Sequence, residues 1–147
     1  MGGTLHVGLF ENFLGCDSVL FAGDGEAVSR LAGTLRPLAS GEVERLQLES
    51  LPFVQAHRGL SILAERSPRS SGLRYAAEEA NGGQPRPAPC FTWRLSPDDW
   101  EDVVLRVEAL SGTGPAHQYL DYLGVLDDVQ VIAAFNEYDD EWWRRHG

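Results

Sequence analysis

The sequence predicts an α+β fold: a mostly antiparallel sheet with two main helices packed on it and a short C-terminal helix. Three observations carry this expectation. Several short segments alternate apolar and polar residues, the period of a strand. Two longer segments repeat apolar residues at helical spacing. Strands and helices are mixed without the regular alternation that builds a parallel α/β sheet. The 147 residues suit one domain over 1–147, long enough to bury roughly two thirds of the unfolded chain's surface without metals or disulfides.

Thr4 to Phe10 places Leu5, Val7 and Leu9 on one side and reads as a strand. Residues 12–17 read as a turn or loop, and Ser18 to Ala22 as a second strand broken by Gly23-Asp24-Gly25. A helix follows, with Val28, Leu31, Leu35 and Leu38 on one face, Asp24 as its N-cap and Glu26 in the positive first turn. Pro37 makes its last turn irregular, and Ser40-Gly41 ends it. Val43 to Ser50 reads as a strand with Leu46 and Leu48 inward, and Gly59 to Ala64 as another. Residues 66–89, rich in Ser, Gly and Pro around a weak strand at Leu73 to Ala77, read as a mobile loop excursion.

Cys90 to Leu95 is a further strand, and Ser96-Pro97-Asp98-Asp99 is the strongest local signal in the chain. The serine caps, the proline takes the first helical position, and two acids face the positive end of the dipole. Trp100, Val103, Val104, Val107 and Leu110 then form one apolar stripe. His117 to Tyr122 and Val129 to Phe135 read as an antiparallel hairpin, and Glu137 to Arg145 as the final short helix.

Charge is unevenly spread. Of a formal net charge of −10, nine units lie between Asp98 and Gly147, where twelve acids face three arginines; the same stretch holds three of the four tryptophans. Such a field attracts cations and basic partners and opposes nucleic acid. All twelve bases are arginine, scattered along the chain. Cys16 and Cys90 lack metal or redox spacing and read as two thiols in a reducing compartment. The N-terminal residues show no basic stretch followed by an apolar one, and no apolar run approaches a membrane span, so a cytoplasmic chain without membrane contact is expected.

Chemistry-bearing patterns are sparse. Gly23-Asp24-Gly25 before a helix lacks the third glycine and the Gly-Lys-Ser of phosphate loops, and Asp24 would repel a phosphate. His117 and Asp121 share a face whether their segment is strand or helix, and Glu137 could join them, so these three are the candidate catalytic residues. His57-Arg58 with Glu65 is a second, weaker cluster. Metal-protease, calcium-loop and nucleophile-elbow motifs are absent, so no metal or cofactor is expected. The last cluster is Tyr138, Asp139, Asp140, Glu141, Trp142 and Trp143. Two adjacent indoles on a short helix cannot both face a core, and an exposed aromatic ringed by acids suits a basic surface.

The expected function is a small acidic binding protein that occludes a basic protein partner, for instance a toxin, as an immunity protein does. Its contacts would be Tyr138 to Trp143, with Trp100 as a further anchor. The alternative is a small hydrolase or metal-dependent enzyme using His117, Asp121 and Glu137. A subunit of a homo-oligomer is the third option.

Overall fold

The computed structural model describes residues 3–13, 16–76, 88–110, 114–120 and 129–147. It contains nine strands, β1 (Leu5–Phe13), β2 (Cys16–Gly23), β3 (Arg45–Gln47), β4 (Val54–Ala56), β5 (Ser61–Arg66), β6 (Gly72–Tyr75), β7 (Cys90–Leu95), β8 (Ala116–Tyr119) and β9 (Gln130–Phe135), and three α-helices among the described residues, α1 (Gly25–Ser40), α2 (Pro97–Glu108) and α3 (Asp140–His146).

The content is α+β, but the strands form two sheets rather than one, and both are mixed. One sheet has the order β4-β1-β2-β9-β8, the other β3-β5-β7-β6. β1–β4, β2–β9 and β5–β7 pair parallel, while β1–β2, β8–β9, β3–β5 and β6–β7 pair antiparallel. The expectation of a mostly antiparallel sheet is corrected on this point. Periodicity reports which face a side chain occupies, not the direction of the neighbouring strand.

Both predicted caps form. Asp24 accepts from the Ala27 N–H at 2.9 Å, and the Asp99 N–H donates to Ser96 Oγ at 3.3 Å. Asp24 also accepts from the Gly3 N–H, which ties the start of β1 to the start of α1. α1 runs through Pro37 and closes at Gly41, whose φ of 93° is the left-handed conformation glycine tolerates. Other boundaries shift. β1 and β2 extend into the expected loop at residues 12–17, and residues 48–50, expected as strand, form a 3-10 turn. β4 went unpredicted because three residues carry no periodicity. Of the expected loop excursion at 66–89, residues 72–75 pair with β7, and 77–87 lie outside the described residues. The β8–β9 pairing is antiparallel as expected, with its connection at 121–128 outside the described residues.

The main core lies on one face of the five-stranded sheet. It joins Leu5, Val7, Val19, Phe21, Val131 and Ala133 to both long helices and the second sheet. Trp93 links the layers, stacked on Phe21 and edge-on to Trp100. The opposite face of the same sheet carries a second, smaller cluster: Leu20, Ala22, Ile132 and Ala134 under Trp143 of α3. A seven-residue helix has little stability alone, so α3 depends on this docking. Gly8 makes room for it, since a Cβ there would stand 2.9 Å from the Trp143 ring. Gly8→Ala should therefore lower stability by about 1–3 kcal/mol through overpacking. Thermal unfolding and tryptophan fluorescence would measure this loss, and Gly33→Ala, where a Cβ meets open space, is the control.

Candidate functional site

The side chains with chemical potential gather on the outer face of the five-stranded sheet, around α3. Alternation in β1 sends Leu5 and Val7 into the main core and His6 to the outer face. β4 runs parallel beside β1, in register Leu5↔Val54 to Val7↔Ala56, so the turn after it delivers His57 to the same place. Asp139 caps α3 by accepting from the Trp142 N–H at 2.9 Å, which sets Asp140 on the first turn.

The result is a chain of three groups. His6 Nε2 lies 3.0 Å from Asp140 Oδ1, and His6 Nδ1 lies 2.9 Å from His57 Nε2. The His6 side chain is 9% exposed and that of Asp140 83%. Both imidazoles stack on Trp143, with centroid distances of 5.1 Å for His6 and 4.5 Å for His57. Their own separation of 5.1 Å puts them on the same side of the indole. Arg58, next to His57, holds a left-handed φ of 58°, which costs a non-glycine residue about 1 kcal/mol or more. An open cleft of about 460 Å³ is lined by His6, His57, Gln55, Asp140 and Arg144.

Electrostatics favour a neutral His57. Burial, then the adjacent His6, then Arg58 lower its pKa below the ordinary 6.5.

A second cluster sits at the β8 edge. His117 Nδ1 is 3.1 Å from Glu137 Oε1, and Tyr119 meets the His117 ring edge-on at 5.6 Å. Two of the three candidate catalytic residues are thus brought together; Asp121 lies outside the described residues. Burial, then Glu137, then Tyr119 raise the Tyr138 pKa, so its phenol keeps its proton at neutral pH. His57 and Glu65 do not meet: His57 turns to His6, and Glu65 accepts from Arg94 in the other sheet.

The aromatic–acidic cluster divides by residue. Trp143 is buried at 1% exposure and Trp100 at 0%, where its Nε1–H donates to the Glu65 carbonyl. Neither can anchor a partner. Trp142 is half-buried, held 4.5 Å from Tyr138 and 5.3 Å from Phe10, while Asp139, Asp140 and Glu141 are exposed around it. The acids of α2 belong to the far side of the sheet, so among the described residues the acidic third is not one continuous patch. There Glu108 pairs with Arg36, and Asp102 with Arg106.

Asp24 spends its carboxylate on the α1 cap and on Gly3, which leaves nothing phosphate-like in that turn. No group of three or more His, Cys, Asp or Glu among the described residues is arranged to hold a metal ion. No helix among them is long and apolar enough to cross a membrane. His6 carries little local signal in the sequence. Its one signal was a polar side chain in the outward phase of an apolar strand; contacts with His57 and Asp140 span 51 and 134 residues. Comparisons with protein-family models, with curated proteins and with solved structures find no match to this chain.

His57 should titrate with a midpoint below 6.5, and Arg58→Gly should move it upward by removing a nearby cation while relieving the left-handed backbone. The sign for stability follows. Between the lowered folded value and 6.5 the unfolded chain binds more protons, so this contribution is complete above about pH 6.5 and is lost as pH falls through the folded value. Ring-carbon NMR and urea unfolding at successive pH values would measure both.

Proposed function

We propose that this chain is a small acidic binding protein that occludes a basic protein partner, as an immunity protein occludes a toxin. Its contact surface is the outer face of the five-stranded sheet around α3. The observation that carries this reading is the half-buried Trp142, braced by Tyr138, Phe10 and His146 on a helix whose start follows exposed Glu137 and Asp139 and carries exposed Asp140 and Glu141. A braced aromatic loses little rotamer freedom on binding and can fill a pocket; surrounding carboxylates steer a basic surface and select against acidic ones. Tyr119, 40% exposed at the β8 edge, extends the same face. Trp143 is the support beneath this surface, not part of the contact.

A photo-crosslinking residue in place of Trp142 should capture a basic protein in cells of the native host. The same residue in place of Leu105, exposed on α2, should not. Capture at 142 should fall at least tenfold between low salt and 0.5 M NaCl, because exposed charges are screened there. Equal capture at both positions, or none at either, would count against the proposal. Capture of a second copy of the chain would make this face a homo-oligomer interface instead.

The His117–Glu137 contact favours a second reading, a small hydrolase in which the carboxylate orients an imidazole base. On that reading His117→Ala should cut activity on an esterase or phosphatase panel by about 100-fold, with Trp142→Ala leaving it intact. An activity that survives His117→Ala would exclude the assignment.

A further inference from the structure

We propose that His57 is a phosphoryl-accepting nucleophile: the His6–Asp140 pair orients it and takes its proton, Arg58 and Arg144 bind the phosphoryl oxygens, and the donor is a small acyl phosphate. This activity lies beyond the binding reading above and does not rest on it.

The order of groups is that of a catalytic triad with an imidazole in the nucleophile's place. The Asp140 carboxylate accepts, so His6 Nε2 carries a hydrogen. His6 Nδ1 is then the acceptor, and His57 Nε2, 2.9 Å away, is the donor. The lone pair of the second ring is left on His57 Nδ1. Burial, then His6, then Arg58 lower the pKa of His57, so that lone pair is unprotonated near pH 7. Stacking on Trp143 fixes the planes of both rings. Glycine keeps side-chain atoms away from the attacking nitrogen, since a Cβ on Gly147 would stand 2.5 Å from His57 Nδ1.

The surroundings select an anion. With twenty-two acids for twelve arginines, carboxylate partners are plentiful. Arg30, Arg36, Arg45, Arg94, Arg106 and Arg145 each lie against one. Arg58 and Arg144 have none among the described residues, although both border clefts that include His57. The Arg58 guanidinium reaches only the Gly147 backbone oxygen, at 3.4 Å. Its backbone is held at a left-handed φ of 58°, a strain of the kind that gathers at functional sites. The two clefts, of about 460 and 680 Å³, share His57 and Gly147, so a guanidinium is available to each side of the ring. Planar forks hold phosphoryl oxygens in pairs. One carboxylate borders each cleft, Asp140 and Glu11, and the arginines match them in number. Asp140 is further offset once His6 takes a proton.

The step balances without a further reactant. His57 Nδ1 forms the N–P bond while the bridging P–O bond breaks, and its electron pair leaves on the acyl carboxylate. The His57 Nε2 proton passes along its hydrogen bond to His6 Nδ1, and Asp140 holds the His6 cation. Water then attacks phosphorus, the N–P electron pair returns to Nδ1, and the His6 proton returns to His57 Nε2. One acyl phosphate and one water give one carboxylate and one dihydrogen phosphate. A carboxylate departs without needing a proton, which suits a relay built to accept one.

The test uses the full chain without any partner, so failure of the binding proposal cannot mimic failure of this one. The chain is incubated with acetyl phosphate at neutral pH, and phosphohistidine is followed by ³¹P NMR and located by mass spectrometry. His57 should be labelled about tenfold or more faster than His117, although His117 is the more exposed ring. His6→Gln can keep both hydrogen bonds, with its amide oxygen toward His57 and its amide N–H toward Asp140, but cannot take a proton. It should slow labelling about 100-fold while tryptophan fluorescence stays unchanged. Arg58→Gln combined with Arg144→Gln should raise the acetyl phosphate needed for half-maximal rate about tenfold. No labelling of His57, or labelling no faster than that of His117 or His146, would overturn the proposal, as would a wild-type rate in His6→Gln. If His6→Gln does not fold, the labelling ratio in the wild-type chain decides alone.

Discussion

The seating of Trp143 against the outer face of the five-stranded sheet is the contact on which everything near the candidate site depends. α3 is too short to persist unaided, and its buried attachment is this ring on Leu20, Ala22, Ile132 and Ala134, with Trp142 packed beside it on Phe10. The indole is buried although its N–H finds no acceptor among the described residues, an arrangement that costs about 1–3 kcal/mol. What offsets that cost is area and stacking: apolar side chains beneath, two imidazoles beside it, and Gly8 leaving the space. Through it, one helix turn fixes Asp140 on His6 and stands Trp142 outward.

Much of the fold was legible because its signals are local. Asp24 and Ser96 announce their helices through the side-chain oxygen that satisfies an orphan N–H, and the Trp100 to Val107 stripe faces the core as its spacing requires. Leu5 and Val7 likewise take the inward phase of β1. The long-range choices were not legible. Nothing in the β2 residues says that β9, more than a hundred positions later, will lie parallel beside it. The candidate site was half visible: spacing linked His117 to Asp121, which lies outside the described residues, while Glu137, placed only as a residue that could join them, lies 3.1 Å from His117; adjacency showed that Trp142 and Trp143 must part. Which indole goes inward was decided by Gly8 and by His6, residues with no local tie to α3.

Net charge was a coarser guide than it looked in the sequence. Among the described residues, the acids of the last fifty positions divide between α2 and the segment from Glu137 into α3, which stand on opposite sides of one sheet. On α2 they serve the first turn's dipole and surface ion pairs, each worth a fraction of a kcal/mol. On α3 they surround half-buried rings. Any field near α3 therefore belongs to one face and four carboxylates, Glu137, Asp139, Asp140 and Glu141, rather than to the whole charge of the chain.

The two faces of the five-stranded sheet also differ in how freely they can change over generations. A replacement in the main core must fit both long helices and the second sheet at once, because Trp93 and Phe21 knit these layers together. A replacement at Tyr119, Glu137 or Trp142 disturbs only a thin layer laid over the back of that sheet. The architecture thus separates the residues that keep the chain folded from those of the proposed contact face. Substitution can therefore range over the second set while the first stays fixed by its packing.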